Sequence, residues 1–322
     1  VGSSGARVEQ IIEFLKTSGW VREPFDVSFL AAGEYNENYR VTGAETDTVF
    51  RINHGTQLGI ENQMEYEFRV LEAISSSGVT PRPLRLCKRH ELFPRGAMLM
   101  EFLPGRALDY RKDLEGAARC LAAVHSVSAP DSLIEQRNPV ADILRECNGL
   151  LARYPSHPRS GLLPRIRRYA EFVEQLSKQP EADFSDEPVC ITNTEVNSGN
   201  FLVDDRVVRL VDWEKAVVSY RYQDLGHFLV PTTTLWKTDV VLDADARRHF
   251  LEHYWRIAHP PVSFARLDAR TRTLEKTILL RAYSWCYMAT AEYASGSRAL
   301  TNEQTLSIMN YYLDNIDRYL GV

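Results

Sequence analysis

"NTEVNSGNFLVDDRVVRLVDWE", residues 193–214, sets Glu195, Asp212 and three asparagines around a short apolar hairpin. The runs "FLV" and "VVRLV" flank Asp204, Asp205 and Arg206, the pattern of two strands joined by a very short turn. A turn of two or three residues pairs Asp212 with Asn197 or Ser198. Asn200 then lies two or three residues along the partner strand, roughly 7–10 Å away by backbone rise, so both side chains converge at the open end of the hairpin. One cation can be shared between them. A carboxylate and an amide oxygen, with water and phosphate oxygens filling the other positions, is how Mg²⁺ is held beside a nucleotide. Glu195, in the loop before the first strand, stands as a base or orienter for an attacking hydroxyl. The plainer reading is a polar turn beside a surface hairpin.

Toward the N-terminus, "DVSFLAAGEYNENYRV" and "TDTVFRIN" read as strands separated by turns, with Gly43 and Gly55 as bounds. In the next segment Ile60, Met64, Glu67, Leu71 and Ile74 recur at helical spacing, and Gly78 with Pro81 supplies the stop. Glu67 is therefore an acid on an apolar helix face, and a buried carboxylate needs a partner. The other reading has Glu67 at the edge of the stripe, reaching solvent, with neighbouring Glu65 as the rival partner. The run "AMLMEFLPGRAL" reads as a buried strand ending at Pro104-Gly105.

Beyond that strand helical periodicity dominates, in "DLEGAARCLAAVHSV", "VADILRECNGLLARY", "RIRRYAEFVEQLSKQ" and most of 241–322, with the polar stretch 181–188 as a loop. The fold class expected is α+β, a small β-rich lobe over residues 1–103 followed by a large, mainly helical lobe over 104–322. A net charge of −5 and the lack of a basic stripe argue against nucleic acid as a partner. Five scattered cysteines with no CxxC pair signal neither a disulfide framework nor zinc, and fit a reducing cytoplasm. No apolar run approaches the ~18 residues of a membrane span, and the opening residues lack the apolar core of a signal peptide.

Residues 193–200 and the segment Leu210-Val211-Asp212-Trp213-Glu214 resemble the aminoglycoside phosphotransferase and choline kinase superfamily, relatives of the protein kinases. Its members carry a loop like H-G-D-L-H-P-G-N, then a hairpin and a hydrophobic-D-[WF]-E segment. The resemblance implies a two-lobed protein-kinase-like fold, with ATP and Mg²⁺ in the cleft. It puts Glu195 where the catalytic aspartate stands, Asn193 where a loop-orienting histidine stands, and Asn200 and Asp212 where the metal ligands stand. Arg51 falls where the family holds the α/β-phosphates, with Glu67 holding Arg51. Backbone groups of Glu101 and Leu103 fall at the adenine-binding hinge, "AAGEYNEN" resembles the phosphate-covering loop, and Asp224 in "YQDLGHF" resembles the acid that buttresses the catalytic loop. His125 and His227 read as structural.

What the resemblance implies is a phosphotransferase that moves the γ-phosphoryl group of ATP to a hydroxyl of a small molecule, an aminoglycoside, choline or sugar-like alcohol. Only eleven residues, 213–223, separate Asp212 from Asp224, too few for a typical protein-kinase activation segment. Glutamate in place of aspartate keeps the proton chemistry, with free pKa values of ~4.3 against ~3.9, but moves the carboxylate by more than ~1 Å, which can cost on the order of 10²-fold in rate. The opposed reading is a nucleotide-binding pseudokinase, a sensor or scaffold without turnover. For the acceptor, "LLRAYSWCYMATAEYASG" offers Trp285, Tyr287 and Glu292, with Trp236 as a further candidate; core packing explains most of these aromatics, and the alternative is one face that lines a pocket for a cationic or sugar-like alcohol.

Overall fold

A computed structural model describes residues 2–33, 35–43, 47–205, 207–296 and 303–321. Glu34 of the expected phosphate-covering turn, Arg206 of the hairpin turn and residues 297–302 lie outside the described residues.

Ahead of the expected strands lies a helix, α1 (Gly2–Ser18), an element that the β-rich lobe expected over residues 1–103 did not include. Ile11, Phe14 and Leu15 are its buried stripe. Five strands follow, β1 (Phe25–Ala32), β2 (Asn36–Gly43), β3 (Asp47–Asn53), β4 (Pro83–Cys87) and β5 (Ala97–Glu101), with α2 (Gln63–Ile74) between β3 and β4. They form one antiparallel sheet in the order β1-β2-β3-β5-β4. Strand alternation divides β3 between two cores. Phe50 and Ile52 pack with α1, Phe93 and Leu99, whereas Val49 joins Met98, Met100 and the α2 residues Met64, Val70, Leu71 and Ile74. Arg51 has the parity of Val49, so its side chain is delivered to the α2 side of the sheet.

The large lobe begins with β6 (Arg106–Ala107), α3 (Leu114–His125), α4 (Pro139–Ala152) and α5 (Leu163–Leu176). Four short strands come next in the chain: β7 (Cys190–Thr192), β8 (Phe201–Asp204), β9 (Val207–Leu210) and β10 (Val217–Ser219). β8 pairs with β6 and β9, and β7 pairs with β10. The helices α6 (Tyr222–Leu229), α7 (Pro231–Lys237), α8 (Ala244–Ala258), α9 (Phe264–Ser295), α10 (Glu303–Asp314) and α11 (Ile316–Leu320) complete it. Gly226 lets α6 lie against α9, since a Cβ there would sit 2.9 Å from the Glu275 amide. The two-lobed α+β architecture expected from the sequence is the one observed. No helix among the described residues is long and apolar enough to cross a membrane.

The hairpin register corrects one expectation. Phe201 pairs with Leu210 and Asp204 with Val207, and the Val211 amide donates to the Asn200 carbonyl at 2.9 Å. Continued by one step, that register sets Asp212 opposite Gly199 rather than Asn197 or Ser198. Asp212 is thus one step from Asn200 along the ladder rather than two or three, because the strands stay paired as far as Asp204 and Val207 before the turn.

Candidate active site

The loop after β7 is shaped by one buried carboxylate. Asp224, at the start of α6, accepts from the amides of Asn193 at 2.9 Å and Thr194 at 2.8 Å. Thr194 is held at φ 67°, a left-handed conformation that costs a non-glycine residue on the order of 1 kcal/mol and needs such an anchor. Behind Asp224 stands His125, 3.1 Å away through Nε2 and 2.8 Å from the Tyr254 hydroxyl through Nδ1. Burial lowers the His125 pKa, against the pull of Asp224, so the neutral ring fits this position.

Asn193 is fully buried and links the loop to the segment that follows the hairpin. Its Oδ1 accepts from the Glu195 amide at 3.0 Å, and its Nδ2 donates to the Asp212 carbonyl at 2.7 Å. The Glu195 carbonyl in turn accepts from Asn197 N at 2.8 Å and Asn200 Nδ2 at 2.8 Å. That bond uses the amide nitrogen of Asn200 and leaves Oδ1 as its ligand atom. Asp212 sits at φ 64°, a second left-handed residue within the same knot of hydrogen bonds.

Across the cleft Arg51 meets three acids. Its Nε lies 3.1 Å from Glu67 Oε2, an ion pair off the axis of a hydrogen bond, and its Nη2 lies 2.6 Å from Asp212 Oδ1 and 3.6 Å from Glu214 Oε2. Glu67 is buried and partnered by Arg51, while Glu65 pairs with Arg69 and Lys88 on the other side of the helix. Burial raises the Glu67 pKa to about 7 even though Arg51 opposes the shift.

Glu214 belongs to this site and has no role in the sequence reading. Its carboxylate accepts from Asn36 and, at 2.9 Å, from Gln57; its carbonyl accepts from Gln63 at 2.7 Å. Three small-lobe residues thereby grip one residue of the large lobe. Burial and the adjacent Asp212 charge push the Glu214 pKa up to about 8. Ligand oxygens of Glu195, Asp212 and Glu214 all lie within 4.8 Å of one another. Around them four carboxylates, Glu67, Glu195, Asp212 and Glu214, face two cations, Arg51 and Lys215. The all-oxygen donor set fits one hard divalent cation such as Mg²⁺.

At the expected hinge, the Glu101 amide donates to the Arg82 carbonyl at 2.9 Å, and its carboxylate pairs with Arg82. Leu103 is buried, and its amide makes no backbone hydrogen bond among the described residues. The four acceptor candidates are spread out. Trp236 and Trp285 meet edge to face at 6.0 Å between centroids, both half-buried, with Lys237 next to Trp236 reaching within 3.8 Å of a Cβ built on Gly199. Tyr287 is buried, stacked on His157 at 3.5 Å between centroids. Glu292 accepts from the Tyr154 hydroxyl at 3.0 Å and lies 3.4 Å from Arg153, at the end of α4.

Residues 26–269, well over half of the chain, match the phosphotransferase enzyme family APH. No curated protein matches the chain by sequence. In fold it is similar to a choline/ethanolamine kinase family protein from Mesorhizobium loti, with a TM-score of 0.68 at 14% identity, covering 100% of this chain and 96% of that one. A choline kinase from Streptococcus pneumoniae gives 0.64 at 13% identity, with 97% and 99% covered. A spectinomycin phosphotransferase in complex with ADP and spectinomycin gives 0.62 at 16%, with 96% and 94% covered. At these identities the likeness is one of fold.

Proposed function

The chain belongs to the phosphotransferase enzyme family APH, and on that premise we propose that it transfers the γ-phosphoryl group of ATP, with Mg²⁺, to a hydroxyl of a small molecule. The observation that carries the proposal is the meeting of Glu195, Asp212 and Glu214 within 4.8 Å, directly opposite Arg51. We assign the nucleotide to the cleft between a small lobe ending near Leu103 and a large lobe from Pro104. Arg51, held by Glu67, binds the α/β-phosphates, and the Glu101 and Leu103 backbone borders adenine. Asp212 and Asn200, joined by Glu214, would hold Mg²⁺, which when bound neutralises charge on the transferring phosphate.

Glu195 is the base. As the acceptor oxygen forms its bond to the γ-phosphorus and the bond to the bridging oxygen of ADP breaks, the hydroxyl proton passes to the Glu195 carboxylate. Asn193 orients that carboxylate by fixing the Glu195 amide. The bulk of the catalytic effect is positioning and charge neutralisation, so a glutamate serves if its carboxylate is held still.

For the acceptor, the Trp236 and Trp285 pair suits a cationic or sugar-like alcohol, in keeping with the choline, ethanolamine and aminoglycoside names of the fold relatives. Tyr287 and Glu292 fit that role less well, each being engaged in packing or hydrogen bonds away from the tryptophans. The five free cysteines accord with a cytoplasmic protein. The test is a panel of hydroxylated amines, aminoglycosides and sugars with ATP and Mg²⁺. Acceptor-dependent ADP release from one class supports the reading; tight nucleotide binding with no acceptor-dependent release from any class replaces it with the pseudokinase.

A further inference from the structure

We propose that Lys215 is a positioning residue that keeps Glu195 off the metal and free to act on the acceptor. This rests on the proposed function above. The Lys215 Nζ lies 3.1 Å from Glu195 Oε1, with the lysine side chain 14% exposed and the glutamate 26%. Both residues are anchored through their backbones. The register of β7 with β10 pairs Thr192 with Val217, and two steps further Thr194 Oγ1 donates to the Lys215 carbonyl at 3.0 Å. The Glu195 amide is fixed by Asn193 Oδ1 at 3.0 Å, and its carbonyl by Asn197 and Asn200. What remains free is the swing of the two side chains, and they meet.

The need for such a contact follows from counting ligands. Mg²⁺ is usually bound through one or two carboxylates plus phosphate oxygens and waters. Three carboxylates converge here, and Asp212 and Glu214 already make two. Glu195 is the surplus one, and its extra methylene, about 1.5 Å of added reach, brings it within range of a shared cation. A carboxylate captured by the metal would lose the lone pair that takes the acceptor proton. A lysine at contact distance supplies a competing charge-assisted bond that a carboxylate in the cluster would otherwise lack. The pair Glu195 and Lys215 is thus a matched unit, and a shorter aspartate at 195 would fall short of the lysine.

The experiment is Mn²⁺ binding without nucleotide, followed by paramagnetic resonance of the free ion, in the wild type, Lys215→Met, Glu195→Gln and the double variant. Lys215→Met should tighten Mn²⁺ about 3-fold or more, and that tightening should vanish in the Glu195→Gln background. In steady state, Lys215→Met should lower kcat about 10-fold or more with the KM for ATP little changed, and Lys215→Arg should recover part of it. Equal tightening in both backgrounds reports a through-space charge effect and overturns the proposal, as does unchanged Mn²⁺ affinity. Wild-type protein that binds no Mn²⁺ at all overturns the metal site itself and this proposal with it, which separates the two failures. A thermal melt of each variant checks that folding is retained, and Lys215→Arg keeps the test open if Lys215→Met fails to fold.

Discussion

The loop 193–200 and helix α9 both carry residues singled out by their pattern in the sequence, and they use their side chains in opposite ways. In the loop, polar groups are tied in by short bonds: Asn193 to Glu195 and Asp212, Thr194 to Lys215, Asn200 to Glu195, all of it hung from Asp224. In α9 the aromatic residues divide by helix face. Tyr283 and Tyr287 are in the core, whereas Trp285 is half-buried and meets Trp236. Hydrogen-bonding side chains at fixed spacing imply their partners. An aromatic helix that is apolar on nearly every side gives its period but not the face that meets a ligand.

If the loop is as dependent on one carboxylate as its bonds indicate, Asp224→Ala is the most damaging substitution in the molecule. It leaves the Asn193 and Thr194 amides and His125 without their acceptor in a site closed to water. A loss of about 3–5 kcal/mol is expected from chemical denaturation, with turnover abolished. A variant with wild-type stability would mean that the loop holds its shape without Asp224.

The contrast within α9 can be broken by two substitutions. Tyr287→Ala empties a packed site against His157 and should cost about 3–4 kcal/mol of stability. Trp285→Ala should cost less, roughly 1–2 kcal/mol, and should raise the acceptor KM severalfold. A stability loss in both with no change in acceptor KM would return the whole helix to the core.

On the loop side, Asp212→Ala should weaken Mg²⁺-dependent nucleotide binding by about 10²-fold and Asn200→Ala by about 10-fold, since one removes a charged ligand and the other a neutral one. Calorimetry with and without Mg²⁺ checks this, and metal-independent losses would point to packing instead.

A smaller effect comes from pH. Burial raises Glu67 from 4.5 to about 7, so the native state binds a proton that the unfolded chain gives up. The stability tied to that proton is fully present below about 4.5 and is lost as pH rises through about 7. The metal-free protein should therefore melt lower at pH 8 than at pH 5, and Glu67→Gln should flatten the slope by on the order of 1 kcal/mol, about 3 °C in Tm. An unchanged slope in the variant would assign the effect to other carboxylates.

How much of this was legible in the sequence follows from range. The hairpin, α2 with its buried acid, and the helical lobe came from local periodicity; Glu67 came from one break in an apolar stripe, and Arg51 as its partner came from the family resemblance. The register slipped by a residue because the turn begins after Asp204 rather than at it, and composition leaves that placement open. Glu214 and Lys215 sit inside or beside the stretch that revealed the site, yet their roles escaped. Glu214 is defined by Asn36, Gln57 and Gln63, more than a hundred residues away, and such contacts have no local signature. The same holds for the polar stretch 181–188. It is a loop as expected, but its Glu187 is buried against Arg270 and Tyr222.

The central claim, a base-assisted transfer from ATP to a small-molecule hydroxyl, is tested most directly by phosphorus resonance of ATP, Mg²⁺ and a responsive acceptor with wild-type protein and Glu195→Gln. A phosphomonoester signal growing in step with ADP is expected for the wild type, and for the variant a rate lower by about 10²-fold or more with ATP affinity nearly intact. A Glu195→Gln variant that forms the phosphomonoester as fast as the wild type would contradict the role of Glu195. A wild-type protein that binds ATP and Mg²⁺ but forms no phosphomonoester would contradict the activity itself.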